Sequence, residues 1–250
     1  MTDVVVFMDL DDSIFQTRGK CRSPENLVPA ALGPDGAPLS FMEPWQHLLL
    51  DLLSGGGPGI GTAVIPATAR DLRSFGRVLP RFTHGAILDF GGLVLGPSGQ
   101  VDRDWLGTVS GKASSAKGLL DEALRLALGE IGRRGLDARA RIVSDLDLPF
   151  YLVAKTRSGD PAGLGPIRAA LEERLGGEAS VFLNGNNLSL LPAYLDKAPA
   201  AEYFLSRYFP DLGPGALVLG LGDGLPDRRL LSLCHYCLIP ARSQLGRSLL

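Results

Sequence analysis

Near the amino terminus, three acidic side chains follow an apolar run. Val4-Val5-Val6-Phe7-Met8 leads into Asp9, Asp11 and Asp12, with Ser13 behind them. Carboxylates this close repel one another and resist losing water, so the group is costly unless a cation shares it. A hard divalent cation such as Mg2+ answers that cost, because it takes oxygen ligands and tolerates a few carboxylates alongside a substrate phosphate. The plainer alternative is a helix start, since Asp11, Asp12 and Ser13 all cap well. A second acidic pair stands near the other end, where Ala216-Leu217-Val218-Leu219-Gly220-Leu221 runs into Gly222, Asp223 and Asp227. The i, i+4 separation lets both carboxylates reach one cation from a turn that glycine keeps tight. Between these acids, Thr68 and Arg70 end the apolar stretch that starts at Thr62, and Lys197 stands at the start of an expected helix. A lysine there opposes the helix dipole, which is odd unless an anion lies nearby.

Asp9-Leu10-Asp11-Asp12-Ser13-Ile14 resembles the first motif of the haloacid dehalogenase (HAD) superfamily of aspartate-nucleophile phosphatases, Asp-x-Asp-x-Thr/Val after an apolar strand. Ser13 stands where Thr is usual, which keeps the hydroxyl and drops a methyl group. Thr68 resembles the second motif, Lys197 the third, and Gly222-Asp223-x-x-x-Asp227 the fourth, with Pro226 where Asn is frequent. The resemblance implies Asp9 as the nucleophile and Asp11 as the acid that protonates the leaving oxygen and then activates water. It implies Mg2+ held by the Asp9 carboxylate, the Asp11 main-chain carbonyl, Asp223 and Asp227. Thr68 and Lys197 would hold the transferring phosphoryl group, with Ser13, Arg70 and His84 as further substrate contacts. A lone His such as His84 is also a common structural residue.

These residues need a scaffold. Apolar runs that stop at acids read as strands buried on both faces of a parallel sheet, whose carboxyl ends collect ligands. The expected fold is α/β, a Rossmann-like core over 1–103 and 187–250 with an inserted α+β cap over 104–186. The cap reading rests on a repeat: a helix over 112–134 with strands at 140–144 and 150–155, then a helix over 161–175 with strands at 180–183 and 187–191. Two α-β-β units suggest an antiparallel sheet with helices on one face. The insertion resembles the cap of the HAD branch that includes sucrose-phosphate, trehalose-phosphate and mannosyl-phosphoglycerate phosphatases. Lys155, Arg157 and Asn187, with Asn184 and Asn186, are the cap residues expected to select substrate, or else they are solvated edges. Residues 16–44 carry five prolines and read as a long loop. A short helix is expected at 45–53, a second strand at 62–70, a helix at 71–79, two short strands about Gly91-Gly92, and a last strand at 238–240. The glycine run 54–59 lacks the Gly-Lys-Ser/Thr of a phosphate-cradling loop and reads as a turn.

The chain has 250 residues, 45% hydrophobic and 21% charged, enough for a real core and typical of a globular protein. A formal net charge of −2 gives no electrostatic footprint for nucleic acid. With Asp3, no basic n-region and no long apolar run, the expectation is a cytoplasmic protein without a membrane span. Three cysteines form no disulfide framework, and Cys234-His235-Tyr236-Cys237 lacks the second half of a zinc site. The functional expectation is therefore a Mg2+-dependent phosphatase acting on a small phosphorylated metabolite, a sugar phosphate by resemblance, through an aspartyl-phosphate. The alternatives are a hexose-phosphate mutase, which hands the phosphoryl group back to sugar, and a silent sugar-phosphate-binding protein. Four retained acids argue against the silent form, and dehalogenase chemistry has no use for Mg2+. The sequence gives no indication of oligomeric state.

Overall fold

The computed structural model describes residues 2–250. In chain order the strands and helices are β1 (Val4–Met8), β2 (Gln16–Thr17), β3 (Val28–Leu32), β4 (Pro38–Met42), α1 (Pro44–Gly55), β5 (Thr62–Pro66), α2 (Leu72–Phe75), β6 (Ala86–Leu88) and β7 (Leu93–Leu95). Then come α3 (Arg103–Ser115), α4 (Lys117–Arg134), β8 (Ala138–Asp145), β9 (Leu148–Thr156), α5 (Gly165–Leu175), β10 (Ala179–Asn184) and β11 (Asn187–Pro192). The chain finishes with α6 (Lys197–Tyr208), β12 (Leu217–Leu221), α7 (Arg228–Ser232), β13 (Tyr236–Leu238) and α8 (Gln244–Leu249). It divides into a core unit, the chain up to Trp105 together with Lys197–Leu250, and an inserted unit, Leu106–Asp196.

The core unit is built on a parallel sheet of order β13-β12-β1-β5. Val5 to Met8 of β1 are buried, as befits a central parallel strand whose two faces are both covered. One face packs Val6, Met8, Val64 and Leu221 against Leu10, Ile14, Phe15, Ala30, Met42 and Leu50. On the other, Phe7 meets Phe204 of α6 edge-to-face with ring centroids 6.5 Å apart. Register decides where the chemistry goes: Met8 pairs with Leu221 on one side and Pro66 on the other. Three strands thus end level, and Asp9, Thr68 and Asp223 follow from one rim. Pro66 is tolerated because it is the last residue of its strand, where a missing donor costs little.

Residues 16–44 are not the long loop that their prolines suggest. They hold a three-stranded antiparallel sheet of order β2-β4-β3. Pro29 sits exposed on the edge strand β3, beside a break in register, and Pro38 opens β4, so neither removes a needed donor. The helix expected over 71–79 is a single turn, α2, capped by the Asp71 carboxylate accepting from Ser74 N at 2.6 Å and closed by Gly76.

The inserted unit carries the expected repeat. α4-β8-β9 and α5-β10-β11 form one antiparallel sheet of order β10-β11-β9-β8. Leu120, Ala123 and Ala127 of α4 and Ile167, Leu171 and Leu175 of α5 pack on Leu152, Ala154, Leu188 and Leu190. Helical period alone suggests one helix over 112–134, but the chain forms two, α3 and α4, which meet at Ala116. The sequence pattern puts the return to the core at 187. The strand expected at 187–191 is β11 (Asn187–Pro192), hydrogen-bonded between β10 and β9, so it belongs to the inserted sheet, and the core unit resumes at Lys197. Among the described residues, no helix is long and apolar enough to cross a membrane.

Candidate active site

At the level rim of the parallel sheet, one ammonium joins two carboxylates. Lys197 Nζ donates to Asp9 Oδ1 at 2.7 Å and to Asp227 Oδ1 at 2.6 Å. The lysine is only 2% exposed, which rules out a solvated surface residue. Its place at the start of α6 brings it to anions, as the unfavourable dipole position required. Ser13 Oγ donates to the other Asp9 oxygen, Oδ2, at 3.0 Å, so both oxygens of that carboxylate are held. Asp227 Oδ2 accepts from the main-chain N–H groups of Asp223 at 3.1 Å and Gly224 at 3.0 Å. The close turn depends on Gly222, where an added Cβ would lie 2.7 Å from Asp227 Cβ and 2.8 Å from Asp227 Cγ.

Asp9, Asp223 and Asp227 each offer a carboxylate oxygen, all within 4.8 Å of one another, and all three residues are buried. Burial pushes the Asp9 carboxyl well above its usual range; Lys197 pulls it down, and Asp227 and Asp223 add to the rise. For Lys197, burial works against the charge, but Asp227 and Asp9 outweigh it and leave the ammonium raised above its ordinary value. The ammonium bridges two of the three clustered carboxylates, and the remaining negative charge with its hard oxygen donors fits Mg2+. The Asp11 side chain stands apart from this cluster. Both of its oxygens accept from Arg70, Oδ2 from Nε at 2.7 Å and Oδ1 from Nη2 at 2.8 Å.

Thr68 is buried, and its hydroxyl oxygen accepts from Arg70 N at 3.2 Å, leaving the hydroxyl proton for another acceptor. Main-chain bonds from Ala67 N to Met8 O and from Asp9 N to Leu221 O carry the ladder just past the strand ends and hold the rim in place.

No protein-family model and no curated protein matches the sequence. Solved structures do match. The C-terminal domain of trehalose-6-phosphate phosphatase from C. albicans is similar at a TM-score of 0.60 and 14% identity, covering 92% of this chain and 73% of that one. The sucrose-phosphatase of Synechocystis sp. PCC6803, solved with sucrose and phosphate, is similar at a TM-score of 0.51 and 17% identity, covering 100% of this chain and 96% of that one. The chain has the haloacid dehalogenase fold.

Within this HAD fold the side chains picked from the sequence separate into groups. Asp9, Ser13, Lys197, Asp223 and Asp227 meet at one point, with Thr68 at the neighbouring strand end. Asp11 and Arg70 form a pair beside them. His84 is half-buried ahead of β6 and, among the described residues, makes no hydrogen bond or ion pair with them. Lys155, Arg157 and Asn187 belong to the inserted unit. Lys155 lies opposite Arg139 in the β8–β9 ladder, Arg157 pairs with Asp137 at 3.3 Å on the surface, and Asn187 faces Asn184 across a hairpin. Asn186 holds the sheet end together, since its amide accepts from Thr156 N and donates to Thr156 O, each at 2.9 Å.

Sequence reading missed Asp89 and Phe90. Both adopt left-handed backbone, φ 50° and 55°, which is strained for residues with a side chain. Their main-chain N–H groups donate to Arg70 O and Thr68 O, and the Phe90 ring centroid lies 5.7 Å from Lys197 Nζ. Nothing in Asp-Phe-Gly-Gly announces that conformation; the glycines merely announce a turn.

Proposed function

We propose that this protein is a Mg2+-dependent phosphatase that hydrolyses a small phosphorylated metabolite, a phosphorylated sugar being the class favoured by the trehalose-6-phosphate and sucrose phosphatases it resembles in fold. The observation that carries the reading is the Lys197 ammonium bridging Asp9 and Asp227 inside a buried group of carboxylates. Such a group is costly to bury and has a use where a phosphoryl anion and a cation must meet.

Asp9 serves as the nucleophile. Its oxygen attacks phosphorus while the bond to the leaving oxygen breaks, giving an aspartyl-phosphate. Asp11 gives its proton to that leaving oxygen; in the second step it takes a proton from water, whose oxygen attacks phosphorus and returns free Asp9 and phosphate. Lys197 and the Thr68 hydroxyl stabilise the charge on the transferring group. Asp9, Asp223 and Asp227, with the Asp11 main-chain carbonyl, would hold Mg2+, which supplies charge neutralisation at the phosphoryl oxygens. We assign Ser13 to orienting Asp9, and we keep Arg70, His84, Lys155, Arg157 and Asn187 as the residues to substitute when substrate choice is mapped.

The test is phosphate release from p-nitrophenyl phosphate and a panel of sugar phosphates, with Mg2+ and with chelator, for the natural protein and Asp9→Asn. Mg2+-dependent release that falls by at least about a thousandfold in a folded Asp9→Asn protein is the expected result. Undiminished release by that variant would sink the assignment. Release only as transfer to another sugar phosphate would turn the reading to a mutase.

A further inference from the structure

The pair between Asp11 and Arg70 is hard to reconcile with a single fixed role for either residue. A guanidinium offers only donors, so an Asp11 whose two oxygens both accept from it presents no O–H toward a leaving group in this arrangement. Arg70 in turn has its fork filled. The two partners are anchored very unequally. Arg70 also donates from Nη1 to Ser74 O at 3.1 Å, its guanidinium lies 5.1 Å from the Phe15 ring centroid, and its side chain is 12% exposed. The Asp11 side chain is 47% exposed, so it is the one free to move. Arg70 also sits two residues after Thr68 in the same turn, with its N–H on the Thr68 hydroxyl oxygen. An Arg fork matches a phosphoryl group as well as it matches a carboxylate.

We propose that Asp11 is a built-in occupant of an anion site on Arg70, and that the substrate's phosphoryl group takes its place. Exchange on Arg70 frees the Asp11 carboxylate as the phosphoryl group arrives; the carboxylate then takes up a proton from water and hands it to the leaving oxygen, which couples binding to the acid step. Arg70 stays where Phe15 and Ser74 hold it; Asp11 swings. The proposal rests on the phosphatase reading for its purpose, but the exchange itself is a binding competition and can be tested without turnover.

The experiment is calorimetric binding of inorganic phosphate in Mg2+ to four proteins: the natural chain, Asp11→Asn, Arg70→Gln and the double variant. Thermal melting checks that each is folded. Asp11→Asn is expected to bind phosphate about tenfold more tightly, because the fork is no longer filled by a carboxylate. Arg70→Gln is expected to bind more weakly than the natural chain. In the Arg70→Gln background the gain from Asp11→Asn should vanish, as coupled neighbours require. An equal gain in both backgrounds would mean plain charge repulsion and would overturn the exchange. No gain, or no phosphate binding by any of the four, would overturn it as well. Because none of these readouts is a rate, failure of phosphate release would count against the phosphatase reading alone.

Discussion

At the candidate site of the core unit, ion pairs reach across the chain: Lys197 meets Asp9 and Asp227 from 188 and 30 positions away, and Arg70 meets Asp11 from 59. Along the helices of the inserted unit they stay local, with Lys117–Asp121, Arg125–Glu122, Arg133–Glu130 and Arg168–Glu172 three or four residues apart. Lys197 is 2% exposed and Lys117 is 66% exposed. The distant pairs exist only after the sheet has brought their members together, and those of Lys197 sit where water cannot screen them. Each member depends on the others, since removing one strands a charge in a dry place. Local surface pairs are screened by solvent and each member does almost as well alone. Charge in one region is bound up with the tertiary fold and in the other mainly keeps helices soluble.

Four substitutions bear on that contrast. Lys197→Ala should be the most damaging, costing about 3–5 kcal/mol in chelator by chemical denaturation because Asp9 and Asp227 lose their shared cation. A cost below about 1 kcal/mol would erase the contrast. Gly222→Ala comes next. Its methyl group would press on Asp227, so about 1–3 kcal/mol is expected, together with loss of the rise in melting temperature that Mg2+, bound as proposed, should give the natural protein.

Asp102→Ala should cost about 1–3 kcal/mol at neutral pH. The Asp102 carboxylate accepts from Tyr203 OH at 2.9 Å, Tyr208 OH at 2.6 Å and Trp105 N at 2.9 Å. Burial pushes its pKa up, but the bonds from Trp105, Tyr208 and Tyr203 outweigh that and hold it below the usual carboxylate value. Tyr203, facing it, is pushed up to about 12 by burial and by Asp102. A carboxyl depressed in the folded state stabilises fully above its unfolded pKa and loses that stabilisation as pH falls through the folded value. The cost of Asp102→Ala should therefore be flat above about pH 5 and shrink below about pH 4, measured by denaturation across pH. Glu172→Gln, which breaks only a local helix pair with Arg168, should move the melting temperature by no more than about 1 °C.

Much of the core unit was legible because its signals are local. An apolar run that stops at Asp9, and another that stops at Gly222 and Asp223, identify a strand and its reactive end from adjacent residues alone. The α-β-β repeat was visible for the same reason. Proline misled over residues 16–44, because a strand accepts it at an edge or a first position, and neither can be known before the neighbours are. The Arg70 fork on Asp11 was invisible too: it depends on where two turns end in space, 59 residues apart. Asp89 and Phe90 were missed because their strained backbone is held from outside, by bonds to Arg70 O and Thr68 O.

The Lys197 ammonium has one more consequence, for the order of events in the life of the molecule. With two of three carboxylates already bridged by a cation of the chain itself, the polypeptide needs no borrowed ion to close. If Mg2+ binds as proposed, folding would precede metal loading, and the protein in chelator is expected to stay folded. In a small zinc module, by contrast, the metal is the core and its removal is unfolding.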